Sequence, residues 1–238
     1  MSTKRRWAAA AVTAAAAGTI TAVAVGQGDA IKITVTAKVT PNKAGTPAHP
    51  QGVKVDVKGT IQTPPDQDPP TVEAVDIWFP KGGLYNGGKF PTCSQATLAG
   101  GGPPACPKTS IMGRGYALAD ADGVDAKATV TLVNGGQRAV FAYVALNRPA
   151  RVREALRVPI TKLGSGPWSY KAHVDIPRTL QIVAGIPLRV QSFRGSAGRK
   201  DWIATTSCPS SHRWKYHVET SYATGQVVKT DGSVGCRS

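Results

Sequence analysis

Apolar and polar positions alternate along most of this chain, and that alternation predicts strands rather than helices. The organising stretch is Ala126–Leu146. Its first arm, Ala126–Val133, sets Thr129 and Thr131 against Val130 and Leu132, the pattern of a half-buried strand. Its second arm is apolar on both faces from Ala139 to Leu146, so it is expected at the centre of a sheet with cover on both sides. Asn134-Gly135-Gly136 between them predicts a hairpin, because Asn-Gly suits the positive φ angles of a type I′ turn. A strand hidden on both faces needs a second layer, which points to a sandwich or a barrel.

The rest of the pattern agrees. Ile31, Ile33, Val35, Ala37 and Val39 face one way along Ile31–Val39, and Val53, Val55 and Val57 repeat the alternation toward Ile61. Val72–Phe79 reads as a strand ended by Pro80, and Ile111–Ala119 as another, turned by Asp122-Gly123 into the central hairpin. Asn147–Arg157 predicts two turns of helix. Strands resume at Trp168–Ile176, Leu180–Leu188, Trp202–Thr206 and His212–Tyr222. The last puts Trp214, Tyr216, Val218, Thr220 and Tyr222 on one face and Arg213, Lys215, His217 and Glu219 on the other. Gly225 and Asp231-Gly232 read as turns near the end. Pro64–Pro70 cannot supply a full set of ladder donors and reads as an exposed connector.

Roughly nine or ten strands joined by Gly/Pro turns predict an antiparallel β-sandwich, immunoglobulin-like in the broad sense, although the buried Trp between widely spaced cysteines of antibody-type domains has no counterpart. A single domain over residues 25–238 is expected, with a long Gly-rich loop at 81–107. Four cysteines, Cys93, Cys106, Cys208 and Cys236, allow three pairings, of which sequence proximity favours Cys93–Cys106 and Cys208–Cys236. The first pair would pin the 81–107 loop.

The cysteines suit export, and so does the N-terminus. Lys4-Arg5-Arg6 form a basic region, an Ala-rich apolar run follows from Trp7, and Ala22-Val23-Ala24 offers an A-x-A cleavage site. Cleavage after Ala24 leaves 238 − 24 = 214 residues. Uncleaved, the same segment would anchor the chain in a membrane. The formal charge of +15 falls to +12 without Lys4, Arg5 and Arg6, and a strongly basic exported chain is drawn to anionic surfaces.

Candidate chemistry is sparse. The cysteines are better used in disulfides than as nucleophiles, and no G-x-S-x-G elbow occurs. His173 and Asp175 share a strand face, the one His–carboxylate pair worth watching. Asp120-Ala-Asp122-Gly-Val-Asp125 reads as an acidic turn without the ligand spacing of a calcium loop, so no catalytic, cofactor or metal residue is assigned. Arginine and lysine clusters are the stronger signal. Arg148, Arg151, Arg153 and Arg157 crowd one segment, Arg213 and Lys215 sit on one strand face, and Arg194, Arg199 and Lys200 make a further group. Such groups can grip phosphate or carboxylate. Trp168, beside Gly166-Pro167, is the tryptophan best suited to stacking on a glycan at the surface.

The run from Cys106-Pro107 to Ser110 and on through Gly113-Arg114-Gly115-Tyr116, with Phe90-Pro-Thr-Cys93 before it and a C-terminal Cys208-Pro209 and Cys236 pair, resembles uncharacterised secreted proteins of high-GC Gram-positive (actinobacterial) bacteria. The resemblance implies export and a β-rich fold with two disulfides, and it carries no known activity. The expectation is therefore a non-catalytic extracellular or envelope-associated binding module for an anionic polymer or a protein partner, with no cofactor and no specific nucleic-acid target. An exported hydrolase of unrecognised type is the runner-up, and a purely structural envelope component the third reading.

Overall fold

The computed structural model describes residues 31–64 and 67–238. The expected signal segment and its cleavage site, and two residues of the proline tract, lie outside the described residues. In chain order the strands are β1 (Lys32–Thr40), β2 (Gln51–Gly52), β3 (Lys54–Gln62), β4 (Val72–Pro80), β5 (Gly83–Tyr85), β6 (Ile111–Ala121), β7 (Val124–Asn134), β8 (Ala139–Leu146), β9 (Val152–Lys162), β10 (Trp168–Asp175), β11 (Ile182–Val183), β12 (Ile186–Pro187), β13 (Arg189–Ala197), β14 (Ile203–Thr205), β15 (Arg213–Tyr222) and β16 (Val227–Gly235). Two short helices, α1 (Gln95–Gly101) and α2 (Arg178–Gln181), interrupt them.

The chain is all-β, but it is not a sandwich. Eleven strands form one antiparallel sheet in the order β1-β3-β13-β6-β7-β8-β9-β10-β4-β15-β16, which curls into a nearly closed barrel. Eleven alternating strands leave the two edges, β1 and β16, running parallel. They meet without a regular ladder. Thr230 Oγ1 donates to the Ile33 carbonyl at 3.3 Å, and just past the strands Lys43 and Arg237 form a parallel bridge. Tyr216 closes the gap from within. Its ring lies where a side chain on Gly232 would have to go, and its hydroxyl donates to the Val35 carbonyl at 2.9 Å. Asp231-Gly232, expected as a turn, lies inside β16 instead, and the glycine makes room for that ring.

The remaining strands form only the small sheets β2-β14-β5 and β11-β12, and the expectation of a sandwich's second sheet fails because β8 finds its two covers elsewhere. Val140, Ala142 and Val144 face the barrel interior with Leu156, Val158 and Ala172. Phe141 and Tyr143 face outward, where Leu98 of α1 and the Cys93–Cys106 pair pack over them. The 81–107 loop therefore serves as the outer layer. Ser94 caps α1 by accepting from the Thr97 amide at 3.0 Å, which starts a helix that the Gly-rich composition hid.

Both expected disulfides are present. Cys93–Cys106 closes a separation of 13 residues and Cys208–Cys236 one of 28, and they contribute about 3 and about 3.6 kcal/mol respectively in the chain-entropy model. They suit an oxidising setting.

Two segments differ from expectation in secondary structure. Asn147–Arg157 does not form a helix, since from Val152 the chain enters β9 and pairs with β8 from Val152↔Leu146 to Pro159↔Ala139. The strand is chosen by pairing: Val152, Leu156 and Val158 add to the interior core. Leu180–Leu188 is not a strand either. Arg178–Gln181 forms one helical turn, and Ala184 (φ 53°) with Gly185 (φ 83°) then folds a minimal hairpin that brings Val183 and Leu188 into the core.

The central hairpin exists, but its turn is longer than expected. Among the residues from 134 to 138 only Gly136 has positive φ (99°). A two-residue turn with both φ angles positive, like that at Ala184-Gly185, is found instead at Asp122-Gly123 (55° and 80°). Asn134 is instead fully buried. Its amide donates to the carbonyls of Gly87, Phe90 and Pro91, and its oxygen accepts from Trp202 Nε1 at 3.1 Å and from the Tyr85 hydroxyl at 3.3 Å. It ties the outer loop to the barrel. Trp202 and Trp214 are accordingly core residues.

Candidate functional site: a basic groove beside a charge-balanced wall

Alternation and register together decide what the outside of the barrel presents. Across β1, β3, β13 and β6 the outward side chains fall in two cross-strand rows. One row runs Thr36–Lys58–Arg194–Tyr116, the other Lys38–Asp56–Ser196–Arg114. Between them lies the row Ala37–Val57–Gly195–Gly115, whose side chains point inward or are missing. The result is a trough of about 780 Å³ with those four residues as floor and the two rows as walls. It opens outward: its lining contains both outward neighbours of each floor residue and none of the next inward ones, such as Val35, Val55 or Phe193. Gly115 and Gly195 sit opposite each other, and a Cβ on Gly115 would lie 2.5 Å from the Arg194 carbonyl. The backbones keep this approach only because no side chain is there.

Four cations, Lys38, Lys58, Arg114 and Arg194, line the trough, all of them exposed. None of the four makes an ion pair among the described residues. Asp56 is the one acid in the lining. It is engaged by Lys54 at 3.0 Å, and the Lys54 hydrogen bond, ahead of a contact from Ser196, holds its carboxyl below the usual range. Tyr116 carries Lys127 over its ring at 4.5 Å and Arg194 at 6.0 Å, so it gathers cations at one end of the trough.

The outer wall on the other side of the β1/β16 seam, across β10, β4, β15 and β16, is built on the same alternation and differs in content. His173 lies beside Asp76, Asp76 beside Glu219, and Glu219 beside Lys229. The next row runs Lys171–Trp78–His217–Asp231. His173 meets Asp76 through Nδ1 at 2.7 Å and Asp175 through Nε2 at 2.8 Å. His217 meets Asp231 through Nδ1 at 2.8 Å and Glu219 through Nε2 at 3.2 Å. Lys171 adds to Asp76 at 3.0 Å and Lys229 to Glu219 at 3.1 Å. Each imidazole is thus held between two carboxylates, which favours the doubly protonated ring.

The titration behaviour follows. The Asp76 hydrogen bond raises the pKa of His173 above its ordinary value. Burial opposes the charge on His217, but its bonds to Asp231 and Glu219 prevail and its pKa is raised too. Glu219 is lowered, by His217 first and then by Lys229.

The sequence-predicted residues scatter. The His173–Asp175 pair does converge, and Asp76 joins it from β4. Arg153 spends its guanidinium on the Leu146 and Val152 carbonyls and on Asn147 Oδ1, fixing the turn into β9. Arg148 and Arg151 are exposed in that turn, and Arg157 is exposed on β9 opposite Phe141. Arg213 and Lys215 are exposed on β15, with Arg213 bonded to Ser233 Oγ at 2.8 Å. Trp168 is half-buried, with its ring centroid 6.3 Å from that of His217. Of the basic clusters expected from the sequence, only Arg194 lines the trough. No family model matches the chain, and no curated protein matches it in sequence.

Sequence reasoning misses Lys38, Lys58 and Arg114, although each stands at an outward position of a strand that the alternation finds. The available signal is a cation at an outward position in four separate strands. What joins them is the order β1-β3-β13-β6, which brings residues from opposite halves of the chain side by side.

Proposed function

We propose that this protein is exported, with its signal segment removed after Ala24, and acts as a non-catalytic envelope-associated module that binds an anionic polymer through the trough across β1, β3, β13 and β6. The observation that carries this reading is the set of four exposed cations around one trough with no ion-pair partner among the described residues. Charged groups spent on internal pairs have little left for a ligand; these four are not so spent. The hydrolase reading has less support. A general base needs a ring nitrogen with an available lone pair, and both nitrogens of His173 and of His217 are engaged by carboxylates.

The test is co-sedimentation of the purified protein with envelope fractions of the producing cells across a salt series. Binding that falls steeply as salt rises supports the reading, because exposed charges are screened over about 10 Å at 0.1 M. Binding indifferent to salt, or none at any salt, overturns it. N-terminal sequencing of the exported protein should return Val25 as the first residue; an intact Met1 would contradict the cleavage.

A further inference from the structure

Resting on that reading, we infer the class of polymer: a single, extended phosphodiester-linked chain lying along the trough across the four strands. Three features point there. The two walls are set by residues two apart on each strand, so they stand about 7 Å apart. That is wide enough for one backbone, whereas a double helix carries its two backbones on the outside of a much thicker rod. The trough crosses β1, β3, β13 and β6, three strand intervals or roughly 14 Å, so it engages a short run of charges rather than an isolated anion.

The third feature is where the charges stand. Lys58 and Arg194 are on one wall, Lys38 and Arg114 on the other. A phosphodiester carries its charge in the backbone itself, on two non-bridging oxygens that diverge from phosphorus. Threaded along the floor, it offers one oxygen to each wall. A carboxylate pendant from a sugar ring offers both oxygens to the same side, and the ring must also fit between the walls. Arg114 and Arg194 can each fork two N–H donors onto phosphate oxygens. Tyr116 does not serve as an open stacking platform, because Lys127 and Arg194 already lie over its ring. Recognition here needs no base and no aromatic group in the polymer.

Single-chain phosphate binding releases counterions, with a slope of log K against log salt of about −0.7 per phosphate neutralised. Three to four contacts predict a slope of roughly −2 to −3. The experiment measures binding of three probes to the purified protein by titration at several salt concentrations: a glycerol-phosphate oligomer of six units, a duplex DNA dodecamer, and a galacturonate oligomer of six units. Each is repeated with the double variant Arg114→Gln/Arg194→Gln and with the control Arg213→Gln/Lys215→Gln.

The expected result is tightest binding of the glycerol-phosphate oligomer, a loss of about tenfold and of about 1.4 in slope in the groove variant, and no change in the control. Groove-dependent binding led by the galacturonate oligomer would overturn the phosphodiester assignment, and groove-dependent binding led by the duplex would overturn the single-chain assignment, each leaving an anion-binding trough. Binding of no probe, or binding equally strong in the groove variant, would overturn both.

Discussion

The barrel has two outer walls made by the same rule and used differently. On β10, β4, β15 and β16, outward charges of opposite sign are neighbours except at Arg213 and Lys215 near the start of β15, and His173, His217, Lys171 and Lys229 are each tied to at least one carboxylate. On β1, β3, β13 and β6 the outward charges are mostly positive, Asp56 and Asp120 being the acids, and four of the cations have no ion-pair partner among the described residues. A balanced wall contributes to holding neighbouring strands together. On the unbalanced wall Lys58 and Arg194 face each other across β3 and β13, so these charges oppose the fold slightly rather than hold it together. Net charge alone, +15 for the chain, does not tell these apart. The pairing of the charges does.

The widest gap between the walls should appear on charge reversal. Arg114→Glu/Arg194→Glu is expected to weaken polyanion binding about a hundredfold at 0.1 M salt, with the midpoint of thermal unfolding unchanged or slightly raised, since both side chains are exposed without an ion pair among the described residues and an acid at position 194 would face Lys58. A large drop in melting temperature would mean that the trough is structural after all. On the balanced wall the roles should exchange. Asp76→Asn removes the charge that His173 and Lys171 share, and it should cost about 1 kcal/mol of stability after allowance for solvent, leaving polyanion binding intact. Urea titration against a binding isotherm reads both.

The pH dependence sharpens the same contrast. His173 and His217 have folded pKa values above their ordinary ones, so their stabilisation is full below about 6.5 and is lost as pH rises through the raised values. Glu219 is lowered, so its contribution is present above its ordinary value and is lost as pH falls through the depressed one. Melting temperature should therefore be highest in the mildly acidic window between these limits. His173→Gln/His217→Gln should flatten the alkaline side of that profile.

The smallest effect belongs to the seam. Tyr216→Phe removes the donor to Val35 and should cost about 1 kcal/mol by chemical denaturation, with amide exchange quickened along β1 and β16.

Much of this is legible in the chain and some is not, for identifiable reasons. The alternation of β1, β3 and β15 and the local cysteine pairing are short-range signals, and they read as they stand in the fold. Phe141 and Tyr143 announce a strand covered on both faces, but a sequence does not say whether the cover is a sheet, a loop or the inside of a curl; here it is α1 with the Cys93–Cys106 loop and the barrel interior. Asn134 looks like a turn residue in any local window, yet its side-chain partners come from residues 85–91, from Trp202 and from its own turn. His173 and Asp175 show as a pair because they are two apart. Asp76, a full strand away, is invisible until β10 pairs with β4. The trough escapes for the same reason: its cations are local facts, and their assembly depends on strand order.

Ligand should bind the unbalanced wall and not the balanced one. Amide chemical-shift mapping during titration with the glycerol-phosphate oligomer tests this most directly. The largest shifts should fall at residues 36–38, 56–58, 114–116 and 194–196, converging on one face of the barrel. Shifts concentrated at 171–175 and 215–219, or along the 148–157 segment, with the trough silent, would contradict it.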